Sequence, residues 1–349
     1  MVRQAVWGAL GLAVLAALAP VPAEAQRRGR RGAEELKLAL LAPEGTSWAR
    51  LMHEFDAELR RRSGEALGLR LYLGGVQGDE KVVLRKIKVG QLHGGAFTGM
   101  GMGEIVSEVR ALELPFQYDS YAQVDHVRQR LDARLRERFR AGGYELLGWF
   151  ELGFVHLFST RPIRTVQDVR SAKPWVWEGD PLAEAYFKAF EVSPTPLPLP
   201  DVLTSLQTGL IDTVYQSPMA CVGFQWYTKL SYMSDLPLAC ATGGLLLKRS
   251  VFERLPREHQ ELLRELGEQY SARVIQLTRE ENEAAKQTLQ EHGIRIVPFD
   301  AAESATFREY GKQVSYQLAG EGTGKLFPRA LLDEVYAWLA ETRDKAGAD

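Results

Sequence analysis

The chain has 349 residues, 45% apolar and 25% charged, a globular composition whose length exceeds the roughly 250 to 300 residues at which a single core stops growing. With 43 Lys and Arg against 45 Asp and Glu the net charge is −2, which lacks the basic excess of a nucleic-acid binder. Two cysteines are too few for a disulfide framework or a thiolate zinc site, so stability must come from ordinary burial.

In chain order, Met1-Val2-Arg3, an uncharged apolar run over residues 5–19 and Ala23-Glu24-Ala25 form a secretory signal with cleavage after Ala25. The run is shorter than the roughly 20 residues of a spanning helix, and no cysteine follows it for a lipid anchor. Residues 26–35, basic and glycine-containing at first, read as a flexible leader. From residue 36 short apolar runs alternate with amphipathic helices, which predicts an α/β fold. Strands are expected over residues 36–41 and 69–73, with a helix through about Arg62 between them. Asp79 caps a helix stopped by Gly90, and a strand over residues 94–98 runs into the glycine loop at 99–103. That loop is not the dinucleotide fingerprint; a tight turn facing a cleft is the better reading.

A helix near residues 121–141 precedes a 15-residue apolar and aromatic stretch, 145–159, long enough to cross between two domains. Residues 173–177 form a short strand, Asp180-Pro181 open a helix to Phe190, and residues 194–200 are proline-rich and extended. Asp201 is expected to cap a helix that ends at Gly209, ahead of a strand over 211–215. Residues 256–292 predict one helix of roughly 50 Å, its second half mostly a solvated face. Further helices fall at 301–319 and from Pro328 to about Glu341.

Catalytic and metal signatures are missing. The six histidines, at 53, 93, 126, 156, 259 and 292, never take an i, i+4 ligand spacing with a nearby carboxylate, and nucleophile-elbow, Walker A and S-x-x-K motifs are absent. No cofactor and no enzyme activity are expected. Cys221 and Cys240 either pair in the oxidising compartment or remain buried thiols.

Six blocks carry a resemblance: Gly75-Val-Gln-Gly-Asp-Glu80, Leu112-Glu-Leu-Pro-Phe-Gln-Tyr118, Gly148-Trp-Phe-Glu-Leu-Gly-Phe154, Arg161-Pro-Ile-Arg-Thr-Val-Gln-Asp168, Pro194-Thr-Pro-Leu-Pro198 and Leu206-Gln-Thr-Gly-Leu-Ile-Asp212. In order and spacing the chain resembles the DctP-type solute-binding proteins of tripartite ATP-independent periplasmic (TRAP) transporters. The resemblance implies a periplasmic-binding-protein-like fold, two α/β lobes around a cleft crossed by hinge strands and a long helix. It also implies a periplasmic location, a small-molecule solute that closes the cleft, and TRAP membrane permease subunits as partners. The expected division is lobe I from residues 36–152 with about 241–290, lobe II from 153–240, the long helix 256–292 spanning both, and C-terminal helices over 300–345.

Departures from the family pattern mark the expected ligand site. Trp175 stands where the family's carboxylate-clamping Arg is expected, Val155 where a second Arg assists it, and Asp212-Thr-Val-Tyr-Gln-Ser-Pro218 replaces a polar run. Losing a bidentate Arg and its helper removes roughly 3 to 6 kcal/mol from a carboxylate ligand, which burial of about four to seven CH₂ groups offsets. The expected solute is therefore apolar or amphipathic. Candidate contacts are Trp175, Val155, Trp177, Tyr215, Gln216, Glu44, Thr46, His93 and Thr98. For several a structural role competes: helix capping for Thr46, a hydrogen-bonded core role for His93, packing for the two tryptophans. Phe224, Gln225 and Trp226 would wall the cleft or cover the hinge, and Arg161 and Arg164 match a surface connector better than a replacement clamp. A second reading is a periplasmic interaction module whose aromatic cleft docks a lipid-handling or helical-repeat accessory protein; compaction on ligand addition separates the two.

Overall fold

The computed structural model describes residues 34–346, so the expected signal peptide and most of the leader lie outside the described residues. The first elements alternate as expected: β1 (Glu34–Ala39), α1 (Ser47–Arg62), β2 (Leu67–Tyr72), α2 (Glu80–Lys88) and β3 (Gly94–Thr98). Glu34 and Glu35, assigned to the leader, already pair with β2. A short α3 (Gly99–Gly103), a 3₁₀ turn (Ser107–Glu113) and α4 (Tyr121–Ala141) lead to β4 (Tyr144–Ser159). Then come α5 (Val166–Arg170), β5 (Trp175–Trp177), α6 (Pro181–Ala189), β6 (Thr195–Leu197), α7 (Val202–Thr208), β7 (Thr213–Gln216), α8 (Pro218–Gly223) and β8 (Tyr232–Ser234). β9 (Ala239–Lys248), α9 (Arg249–Phe252), α10 (Arg257–Glu291), β10 (Arg295–Val297), α11 (Ala301–Leu318) and α12 (Arg329–Ala346) complete the chain.

Local chemistry explains most boundaries. The side chains of Thr46, Asp79, Ser120, Asp180 and Asp300 accept from the first-turn amides of their helices, supplying partners for donors that no helical carbonyl meets. Asp201 does not: its backbone is already helical within a 3₁₀ turn, and its side chain makes no capping bond. Gly209 does end α7 in the left-handed conformation, at φ 71°.

Eight strands join in one sheet, in the order β10-β8-β4-β9-β3-β1-β2, with β7 also on β4; β5 and β6 pair separately. β4 is the shared member. Its residues 144–155 run antiparallel to β9, whereas residues 156–159 pair with β7 and the last two also face β8. The pairing slips between Glu151 and Gly153, and Gly153 adopts φ +84°, open to glycine at little cost. The β1–β2–β3–β9 section is packed by α1 and α10 on one face (Phe55, Leu59, Leu263, Leu266) and by α2 and α4 on the other (Ile87, Val127, Leu131, Leu135). The far section buries Trp175, Val202 and Trp226 in one cluster and Tyr186, Phe190 and Phe307 in another.

The long helix is continuous for 35 residues, roughly 50 Å. Its second half is mostly solvated, as its charges predict, but Thr278, Asn282, Ala285 and Leu289 are buried along one stripe. All but Leu289 are small or polar, so apolar periodicity does not reveal the stripe. Asn282 is its pivot, donating from Nδ2 to the Leu152 carbonyl at 2.8 Å and accepting from the Met219 amide at 3.0 Å. Cys221 and Cys240 lie buried in different clusters and are unbridged. Among the described residues no helix is long and apolar enough to cross a membrane.

Candidate functional site

Two adjoining cavities open where β3, β4, β5 and β7 converge. The larger, about 950 Å³ of empty space partly open to solvent, runs between the sheet and helices α1 and α10. The smaller, about 730 Å³, lies among β5, α6 and the 3₁₀ turn. Thr98, Leu152, Trp177 and Gln216 line both and mark their junction.

Aromatic rings build the β5 wall. Trp175, 1% exposed, stacks on Tyr215 at 4.9 Å between ring centroids and meets Trp226 edge-on at 5.4 Å. Its indole Nε1 donates to the Leu197 carbonyl of the neighbouring β6, at 3.0 Å. The Trp177 amide donates to the Tyr215 hydroxyl oxygen at 3.2 Å, and its Nε1 donates to Asp79 Oδ2 at 2.8 Å. Burial drives the Tyr215 phenol well above its ordinary range, so it stays neutral.

The glycine loop after β3 is closed by the protein's own carboxylates. Glu80, 2% exposed at the start of α2, accepts from the Thr98 amide (2.7 Å), the Thr98 hydroxyl (2.9 Å) and the Gly101 amide (2.8 Å). A Cβ at Gly101 would fall 2.3 Å from that carboxylate, and one at Gly99 would fall 2.4 Å from the carboxylate of Glu113. The glycines are therefore required by packing. Desolvation outweighs the three hydrogen bonds and pushes the Glu80 carboxyl up to about 8.

One cation lines these two cavities among the described residues, and it is already paired. Arg110 Nη2 bonds Asp180 Oδ1 at 3.0 Å and its Nη1 lies 3.2 Å from Glu113, all three groups being buried. Asp180 also caps α6, and Glu113 Oε1 accepts from the Thr242 amide at 2.8 Å. Though burial opposes the charge, the carboxylates keep Arg110 protonated, while desolvation raises Glu113.

The structure brings together six of the nine expected contacts. Trp175, Val155 and Tyr215 line the smaller cavity, and Thr98, Trp177 and Gln216 the junction. Thr46 caps α1 and borders a further pocket that shares Trp48 and Phe224 with the larger cavity. Glu44 is exposed and pairs with His53 at 3.1 Å. His93 lies at the opposite end of β3 from Thr98, where its Nδ1 accepts from the Lys37 amide at 3.2 Å, so it packs against β1 away from both cavities. Phe224 lines the larger cavity and Trp226 is buried behind Trp175. Arg161 is bound to the Ser171 carbonyl at 2.9 Å in the surface connector.

Sequence reasoning missed the buried acids and Arg110. Glu80 and Glu113 sit inside two of the blocks that carry the family resemblance, and Asp180 reads as a helix cap; a charge between apolar neighbours is a signal at Arg110 and Glu113 alone.

A two-section sheet with a shared central strand, a long bracing helix and a cavity at the crossing defines a binding protein of the periplasmic type. The chain belongs to the bacterial extracellular solute-binding protein family 7, the DctP family, whose pattern matches residues 38–320. It is similar to the ectoine/5-hydroxyectoine-binding periplasmic protein UehA of Ruegeria pomeroyi, at 24% identity over 83% of this chain and 86% of that one. It is also similar to the 2,3-diketo-L-gulonate-binding periplasmic protein YiaO of Escherichia coli, at 21% identity over 70% of this chain and 75% of that one. Among solved structures it matches a TRAP solute-binding protein of Xanthobacter autotrophicus with bound β-D-galacturonate, with TM-score 0.79 and 18% identity over 86% of this chain and 99% of that one. A second match is that of Ralstonia eutropha with bound (S)-2-acetolactate, with TM-score 0.79 and 20% identity over 88% and 99%. TRAP proteins of this kind bind small solutes for membrane permease subunits, and the named relatives are periplasmic.

Proposed function

We propose that the protein is exported by cleavage after Ala25, captures a small apolar or amphipathic organic solute between its two lobes by hinge closure, and delivers it to a TRAP permease. Lobe I comprises residues 36–152 with about 241–290, lobe II residues 153–240, and the helix Arg257–Glu291 spans them. The observation that carries the solute class is the state of Arg110. It is the one cation lining the two cavities among the described residues, and Asp180 and Glu113 already neutralise it. Galacturonate and acetolactate, bound by the structural relatives, carry carboxylates, which here would meet Trp175, Val155 and buried acids. Contact with both lobes stabilises the closed form by differential affinity.

Native mass spectrometry of protein purified from its own periplasm should reveal a co-purifying solute of mainly hydrocarbon composition, on a chain whose first residue is Gln26. Calorimetry should show no tight binding of galacturonate. Submicromolar galacturonate binding that vanishes in Arg110→Lys would overturn the solute class, because Arg110 would then be a clamp.

A further inference from the structure

The larger cavity continues past the junction into a chamber that polar recognition does not explain. Its lining there is hydrocarbon: Leu41, Met52, Phe55, Ala96, Leu245 and Val274, drawn from the loop after β1 and from α1, β3, β9 and α10. The polar atoms bordering it have partners within the protein. Trp48 Nε1 donates to Thr278 Oγ1 at 2.9 Å, Ser271 Oγ donates to the Gly267 carbonyl at 2.6 Å, and Glu80 accepts from Thr98 and Gly101. Such a lining favours apolar contents. Its floor cannot collapse, because Gly148 and Gly267 already place β4 and α10 in backbone contact: a Cβ on Gly267 would fall 2.2 Å from the Leu147 carbonyl oxygen. At the mouth Gln216 uses its Oε1 to accept from the Ser217 amide, at 2.9 Å, and among the described residues no acceptor meets its amide nitrogen.

We propose that this chamber is a tail subsite, holding the hydrocarbon chain of an amphipathic solute whose uncharged, oxygen-bearing head accepts from the Gln216 amide at the junction with the second cavity. The assignment rests on the capture reading above and adds to it an orientation and a ligand class. Each methylene entering the chamber should tighten binding about fourfold until the space is filled.

The test is calorimetry of the mature chain with n-alkanols from hexanol to decanol, beside the corresponding alkanoates, and scattering to follow compaction. For the alkanols Kd should fall about fourfold per carbon, with the alkanoates weaker at equal length. Ala96→Phe, on the wall beside Leu245, should flatten that dependence. Val274→Phe on α10 provides a second plug, and circular dichroism checks that each variant folds. Gln216→Leu should weaken all lengths by a similar factor, about fivefold to tenfold, and leave the slope unchanged. A Kd independent of chain length, no alkanol binding, or an undiminished slope in both folded plug variants would overturn the tail subsite. Compaction with a hydrophilic solute alone would sink the subsite and the solute class, and leave capture by hinge closure standing. That reading falls separately if protein from its own periplasm carries no solute.

Discussion

The indole nitrogen of Trp177 donates to Asp79 Oδ2 at 2.8 Å, tying the short β5 strand to the cap of α2 across 98 residues of sequence. Lys81 strengthens the same seam by donating to the Gly179 carbonyl at 3.3 Å. Because Asp79 Oδ1 is engaged at the Glu80 amide, each oxygen of this carboxylate has its own task, one within the helix and one across the cavity.

Trp177→Phe keeps an aromatic ring and removes the donor to Asp79. If the seam belongs to the closed form, solute affinity should drop roughly tenfold, for a loss of about 1.5 kcal/mol, with little change in melting temperature. Calorimetry beside thermal denaturation checks both halves of that expectation.

The pH dependence of stability should be asymmetric. Glu80 has its carboxyl raised from 4.5 to about 8, so folding favours the protonated form and this contribution is lost as pH rises through that interval. His156 is lowered from 6.5 to about 4 by burial, so its contribution is lost as pH falls between those values. The two oppose each other between about pH 4.5 and 6.5, and above 6.5 Glu80 acts without His156. Unfolding free energy should decline from pH 6.5 to 8 by at most about 1.4 kcal/mol per unit for each such group. In Glu80→Gln the decline should be shallower, as urea titrations across this range would show.

Removing Arg110 alone should be severe. Arg110→Leu leaves Asp180 and Glu113 buried without their counter-charge, a loss of about 3 to 5 kcal/mol. Adding Asp180→Asn and Glu113→Gln to that variant should recover a large part of it, measured as the urea midpoint at constant m-value.

Gly153→Ala tests the bend in β4. At φ +84° a side chain is strained, and its Cβ would fall 2.4 Å from the Asn282 amide nitrogen, so both the bend and the Asn282 bond to Leu152 suffer. A loss of about 1 to 3 kcal/mol is expected. Chemical denaturation should register it, and scattering should show a smaller compaction on solute binding.

Much of the framework is legible residue by residue. Asp79, Asp180-Pro181, Gly209 and the 35-residue run ending before Gly293 announce helix boundaries because caps and stops act locally. β9 is harder to see, since Ala239, Ala241, Gly243 and Gly244 lack the bulk of a strand. The reason lies across the sheet: a Cβ on Gly243 would fall 2.2 Å from the Phe150 ring, and one on Gly244 would crowd Leu146. The aromatic wall of the site follows from the positions of Trp175 and Tyr215. The charged centre does not, because Glu113, Arg110 and Asp180 meet only in the folded chain, and each is compatible with a solvated helix end when read alone.

The carboxylate seated on the glycine loop also sets what the loop cannot do. Backbone amides at the end of a strand are ready acceptors of anionic ligands, and here Glu80 reaches them as a tethered competitor whose effective concentration no free solute matches. The loop thus carries its own acceptor as part of the covalent chain, and selectivity against negatively charged solutes begins before any solute arrives.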